Sequence, residues 1–289
     1  MDVLAALRRI PVHDLRLHEA HEPGRLRKTC DSILRENMLR HPILATPMDE
    51  GYLVLDGAHR LESLRNLGCD YAPVQMIGRD QLALSAWDHL VPDGDWLDEW
   101  ITEAAVNCVP LTEGGSLNGE VLVTLIRHNQ PYAILLKEEG DLKGKRLSLW
   151  RQLVETYSRR FKVIRLSQPT GMHDDVNRVC IQHVICDLDE VMETVKRGEV
   201  LPAGVTRFLV EGRLLNLCIP LQLLVDHPLA EREWQRSLAH WRSHLRSYTE
   251  KVYLCEASSD ALMKRMEKGL DNHRYRETST GSHPILSAK

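Results

Sequence analysis

The 289-residue sequence contains no CxxC pair; its seven cysteines stand apart at positions 30, 69, 108, 180, 186, 218 and 255. Zinc ribbons and disulfide frameworks need thiols at short, paired spacings, and an odd, scattered set suits reduced side chains. Basic residues are not in excess. With 37 Lys and Arg against 41 Asp and Glu the formal charge is -4, so no global field draws the chain to nucleic acid. No apolar run reaches the length of a membrane span. The opening Met1-Asp2-Val3-Leu4 lacks the basic and apolar regions of a secretion signal. No internal repeat is visible. These absences set the expectation of a cytoplasmic protein with no membrane association. A hydrophobic content of 43% is enough for one large core or two smaller ones.

What is present reads as an α/β (α+β) chain. Pro23 opens a helical segment with Leu26, Cys30, Ile33 and Leu34 on one face. Two apolar runs, Ile43-Leu44-Ala45 and Tyr52-Leu53-Val54-Leu55, flank a turn-like Pro47–Gly51 stretch and predict a hairpin. Asp56-Gly57 then leads into a helix carrying Leu61, Leu64 and Leu67 and capped by Gly68. Strands are expected at 72–77 and 82–87. These elements delimit a first domain at 1–92. The stretch 93–118, acidic and then rich in Gly and Thr, is expected to link two units. A second, smaller α/β domain at 93–227 follows, with a hairpin around His128-Asn129-Gln130-Pro131 and a long helix striped by Leu149, Leu153, Val154 and Tyr157. Asp187 with Glu190 predicts a capping box. From Pro228, Trp234, Leu238, Trp241, Leu245 and Tyr248 recur at spacings of four and three, predicting a C-terminal helical extension at 228–268. That stripe is expected to pack on its own domain, with a homodimer contact as the alternative. Residues 269–289 have no apolar period and are expected to be disordered.

The most informative feature is strand, then Asp56-Gly57-Ala58-His59-Arg60, then helix. A helix N-terminus presents unpaired N–H groups that suit a phosphate. Gly57 permits close backbone approach, His59 and Arg60 add donors, and Asp56 can hold a metal ion or orient a hydroxyl. Read blandly, Asp56 caps the helix and Arg60 makes a surface pair. Upstream, Leu17-His18-Glu19-Ala20-His21-Glu22-Pro23 offers two carboxylates, Glu19 and Glu22, able to take a proton from a hydroxyl attacking phosphorus. Local chemistry leaves both open. His18 and His21 are three residues apart, but no matched third ligand for a transition metal is evident.

In order and approximate spacing over residues 10–210, the pattern resembles the ParB/sulfiredoxin superfamily. It runs Leu17-His18-Glu19, a helix, an apolar strand, Leu55-Asp56-Gly57-Ala58-His59-Arg60, then Leu67-Gly68-Cys69-Asp70-Tyr71-Ala72-Pro73-Val74. Trp87, the segment Val191-Met192-Glu193-Thr194-Val195-Lys196-Arg197-Gly198-Glu199-Val200, Pro202 and Thr206-Arg207 resemble the free L-serine kinases in particular. Those enzymes make O-phospho-L-serine for cysteine or siderophore-precursor synthesis. The resemblance implies a ParB/sulfiredoxin-like nucleotide-binding domain first, with the second domain completing a serine site. It implies ATP or ADP as donor, free L-serine as acceptor and Mg2+ as cofactor. It makes Glu19 the catalytic base and Asp56 a second catalytic residue and candidate Mg2+ ligand. Gly57, Ala58, His59 and Arg60 would bind the nucleotide phosphates, and Trp87, Thr206 and Arg207 the substrate. Ala58, Gly204 and Phe208 depart from the family's usual histidine, lysine and histidine. The loop has no cysteine, which argues against sulfiredoxin chemistry. The competing readings are a ParB-like nucleotide-binding transcriptional regulator and a catalytically weak nucleotide sensor. DNA binding would use Arg232, Arg236, Arg242 and Arg246, which are interspersed with Glu231 and Glu233 and read as a solvated face.

Overall fold

The computed structural model describes residues 3–21, 23–104, 106–112, 117–137, 142–168, 175 and 177–248. Glu22, residues 249–268 of the expected C-terminal extension and the 269–289 tail lie outside them. Met1–Ser243 form one compact unit and His244–Lys289 a second. The first carries both large sheets.

Strands β1 (Leu7–Pro11) and β2 (Leu15–Leu17) precede helix α1 (Pro23–Glu36) and a two-residue strand β3 (Met38–Leu39). The hairpin β4 (Ile43–Pro47) and β5 (Tyr52–Asp56) leads into α2 (Ala58–Asn66) and β6 (Tyr71–Met76). These strands form a mixed sheet in the order β1-β6-β4-β5-β2. Strand β5 is apolar without alternation because both of its faces are covered. Val54 points into a cluster with Ile43, Leu61, Leu64 and Val74, while Leu53 and Leu55 point into another with Val91, Trp96, Leu125 and Tyr157. On α1, Ile33 turns inward as predicted, but Leu34 is left 56% exposed.

Strand β7 (Leu82–Pro92) runs five residues past the predicted end and seeds a second sheet. The stretch read as a linker instead holds α3 (Asp95–Glu103) and β8 (Asn107–Pro110). Its acidic residues dominate the composition, yet Trp96, Leu97 and Trp100 sit at helical spacing and are buried. Strands β9 (Val121–Arg127) and β10 (Gln130–Leu135) form the expected hairpin, ahead of α4 (Leu142–Arg160), β11 (Ile164–Ser167) and β12 (Arg178–His183). Helix α5 (Leu188–Lys196) begins with Asp187 accepting from the Glu190 N–H at 2.7 Å, the expected cap. Strand β13 (Thr206–Val210) returns to β7, and the sheet order is β11-β7-β12-β9-β10-β8. The chain then comes back to the first sheet. Leu214, Leu217, Ile219 in β14 (Ile219–Pro220), Leu223 and Leu224 join the cluster around Val54. Helix α6 (Ala230–His244) lays Trp234 and Trp241 into the same cluster, so its apolar stripe is used internally. Leu245 and Tyr248 fall past its end. Arg236 pairs with Glu233 of the same helix, consistent with a solvated outer face.

A line of buried polar side chains crosses the second core. The Trp150 Nε1–H donates to His183 Nδ1 at 2.8 Å, and His183 Nε2 lies 3.2 Å from the Tyr157 hydroxyl. That hydroxyl is 2.6 Å from His89 Nδ1, and His89 Nε2 is 2.8 Å from the Gly204 carbonyl. Burial holds the His183 imidazole well below its ordinary 6.5, with neighbouring His89 adding to the effect. Burial likewise raises the Tyr157 hydroxyl well above its ordinary value, against a smaller lowering by Arg165. Below pH 6.5 the unfolded chain protonates a residue that the folded chain keeps neutral, so stability falls with pH. The expected contribution is a loss of about 1 kcal/mol between pH 6.5 and 5.5, approaching 1.4 kcal/mol per pH unit further down. Urea melts across this window should give His183→Gln a shallower dependence than the parent chain; equal slopes would contradict the assignment.

Candidate active site

Two neighbouring parallel strands lead to the two predicted catalytic carboxylates. β2 runs alongside β5 with Leu17 opposite Val54. Two residues further along each chain stand Glu19, just past the end of β2, and Asp56, the last residue of β5. Neighbouring strands lie roughly 4.8 Å apart. Beyond the end of β2 the chain is pinned to a distant segment: Glu19 forms a parallel bridge with Leu201. The Leu201 N–H donates to the His18 carbonyl at 2.7 Å, and the Ala20 N–H donates to the Leu201 carbonyl at 3.1 Å. The Glu19 carboxylate accepts the Gly204 N–H on Oε2 at 2.8 Å. Its Oε1 carries no hydrogen bond among the described residues. Behind it, the buried His18 donates Nδ1–H to the Val54 carbonyl at 2.6 Å and turns Nε2 to within 3.8 Å of Glu19 Oε2.

The phosphate-loop candidate takes the expected strand–turn–helix form. Gly57 precedes α2 at φ 109°, ψ 26°, a left-handed conformation that suits glycine. A Cβ there would lie 3.1 Å from both Arg60 and Ile43. The first intrahelical bond runs from the Leu61 N–H to the Gly57 carbonyl at 2.8 Å, which leaves the Ala58, His59 and Arg60 N–H groups at the open end of the helix. The Arg60 guanidinium is turned back into the protein. It donates to the His41 carbonyl at 3.1 Å, to the Pro42 carbonyl, and to Asp56 Oδ2 at 3.0 Å. A second cation, Arg213, also pairs with Asp56 Oδ2. Arg213 belongs to no motif. It reaches Asp56 because residues 214–224 fold back onto the first sheet, a long-range event with no local signal.

The third group lies on the pairing of β13 with β7. β13 pairs with β7 so that Thr206 faces Ala86 and Arg207 faces Ser85. The Trp87 N–H donates to the Val205 carbonyl at 2.9 Å, and the Arg207 guanidinium lies 4.6 Å over the Trp87 ring. Phe208 sets its ring edge-on to His18 at 4.9 Å, and the His59 and His21 rings are 6.5 Å apart. The His18–Phe208 and His21–His59 ring contacts link the Glu19 segment to β13 and to the Asp56 loop, while Arg207, next to Phe208 on the strand, turns to the other face of β13 and stacks on Trp87. Cys69 has no part in it: the thiol is buried, and burial first, with Asp70 second, raises it above its ordinary value.

Chemically this is a carboxylate held by one oxygen, beside a helix N-terminus and an aspartate flanked by two guanidinium groups. Such an arrangement can position a hydroxyl against a phosphate. Among the described residues, no group of three His, Cys, Asp or Glu side chains is placed to hold a metal ion, and no helix is long and apolar enough to cross a membrane.

No family model matches the chain. It is 38% identical over 253 residues to the ATP-dependent L-serine kinase SbnI of Staphylococcus aureus, spanning 86% of this chain and 97% of that protein. The solved structure of SbnI with a C-terminal truncation superposes with a TM-score of 0.74 at 34% identity, covering 82% of this chain and 98% of that one. A free serine kinase in complex with AMP shares the fold, with a TM-score of 0.60 at 22% identity over 76% of this chain and 93% of that one. At that likeness over nearly the whole length of the S. aureus protein, the chain belongs to the family of ATP-dependent L-serine kinases.

Proposed function

We propose that this protein transfers a phosphoryl group from ATP to the hydroxyl of free L-serine, giving O-phospho-L-serine, with Glu19 as general base. The mechanism is supported by the position of Glu19 just past the end of β2 and of Asp56 at the end of the neighbouring parallel β5, with Glu19 anchored by Gly204. The ATP dependence of the S. aureus relative supports ATP over ADP as donor.

Phosphoryl transfer depends on positioning and charge neutralisation more than on covalent help. The first-turn N–H groups of α2 and the guanidinium of Arg213 would receive the phosphates, with His59 at the rim. Arg60 would act mainly by holding the loop and Asp56 in place, since its guanidinium engages the 41 and 42 carbonyls. The serine Oγ attacks phosphorus, its proton passes to Glu19, and the nucleoside diphosphate leaves. Trp87, Thr206 and Arg207 would bind the amino acid, with the stacked Arg207 suited to its carboxylate.

Mg2+ fits this site through one carboxylate. It arrives bound to nucleotide phosphates and commonly takes only one or two protein carboxylates. Asp56 has Oδ2 engaged by Arg60 and Arg213, while Oδ1 carries no hydrogen bond among the described residues. Asp56 would therefore hold the ion, which when bound neutralises phosphate charge.

Phosphorus NMR of the purified protein with Mg2+ and L-serine, run separately with ATP and ADP, tests the assignment. The expected result is an O-phosphoserine signal with ATP. No transfer from either nucleotide by folded protein would leave the sensor or regulator reading.

A further inference from the structure

The polar line through the second core ends at the residue that holds Glu19. Hydrogen-bond chemistry fixes its direction from both ends. The Gly204 carbonyl can only accept, so His89 donates to it from Nε2, and its Nδ1 meets the Tyr157 hydroxyl. The Trp150 indole can only donate, so His183 accepts at Nδ1 and offers Nε2–H to the Tyr157 oxygen. His89, Tyr157, His183 and Trp150 are each at most 3% exposed, so a missing link would leave a polar group unsatisfied in an apolar core.

We propose that Trp150, His183, Tyr157 and His89 form a brace that sets the position of the Glu19 carboxylate through the Gly204 turn. This rests on the kinase reading of Glu19. The brace grips the Gly204 carbonyl while the Gly204 N–H holds Glu19 Oε2 at 2.8 Å. These two groups belong to different peptide units joined at one Cα. No proton can pass between them along the chain, and what is transmitted is orientation. Orientation needs fixing at that point because Gly204 adopts φ +71°, where glycine has the most conformational freedom. Arg165 closes the other side: a Cβ on Gly204 would collide with its guanidinium. The members of the brace come from α4, β12 and β7, elements packed rigidly by the core they cross. They do not touch substrate and are positioning residues.

Tyr157→Phe removes a single oxygen and cuts the line between His183 and His89. In the full-length protein, kcat is expected to fall on the order of 10- to 100-fold, the cost of a small misplacement of a catalytic group. The KM for nucleotide should be unchanged, since that site is built on the first sheet. In protein labelled with 15N-glycine, the Gly204 amide signal should move, as it also should in Glu19→Gln. A second pair works at the link touching Gly204: His89→Gln keeps a donor near the Nε2 position and should rescue both kcat and the signal relative to His89→Leu. A folded Tyr157→Phe with parental kcat and an unmoved Gly204 signal would overturn the brace, whatever its melting temperature. Equal behaviour of the two folded His89 variants would do the same. The amide signal needs no turnover, so a parent chain that makes no O-phosphoserine defeats the kinase reading separately from the brace.

Discussion

Glu19→Gln is expected to lower kcat by about 10²- to 10⁴-fold while leaving the fold and the KM for nucleotide intact. Glutamine still offers an oxygen to the Gly204 N–H, the contact that Glu19 makes at 2.8 Å, so the bridge to Leu201 and the turn beyond it should survive. What is lost is the ability to take the serine proton. Glu19→Ala also removes the anchor and should be at least as damaging. Rates from phosphorus NMR, with thermal melts as the control, decide the matter. A folded Glu19→Gln enzyme within about tenfold of the parent would remove Glu19 from the role of base.

Asp56→Asn is expected to cost on the order of 10²-fold or more in kcat and to raise the KM for ATP, separating it from Glu19→Gln. The carboxylate neutralises two guanidinium groups, those of Arg60 and Arg213. Without it, two cations face each other across a neutral amide and the loop loses the group that orients them. The Arg60 side chain is 18% exposed and that of Asp56 44%, which places their ion pair at the upper end of the range for surface bridges. A stability loss of about 1 kcal/mol should accompany the kinetic defect. Titration with ATP followed by thermal shift should show weaker stabilisation in Asp56→Asn. Parental kcat and KM in that variant would take Asp56 out of the site.

Much of the local architecture is legible because it is set by neighbouring residues. The hairpin at 43–56, the Gly57 turn into α2, the Asp187 cap and the stripe of α4 each follow from periodicity, a glycine or a cap within a few positions. The linker expected at 93–118 fails for a physical reason. Acidic composition points to a solvated linker, but Trp96, Leu97 and Trp100 stand at helical spacing, and burial of those three side chains outweighs the solvation of the acidic face. Leu34 fails in the opposite sense: apolar character alone does not select a face, and packing left it outside.

By itself, the sequence determined most of the elements, the phosphate-suited strand–turn–helix and the pair of carboxylates from which a base could be drawn. Each depends on interactions within a few residues along the chain. Only the tertiary structure decided that β2 and β5 run side by side toward Glu19 and Asp56, that Arg213 rather than Arg60 alone faces that aspartate, and that Gly204 holds Glu19 with a line of buried histidine and tyrosine behind it. Those contacts join residues as far apart as 185 positions, and nothing in local propensity encodes them. They arise when two sheets and a returning segment bury their apolar faces together, and the polar groups carried along must find partners where they land.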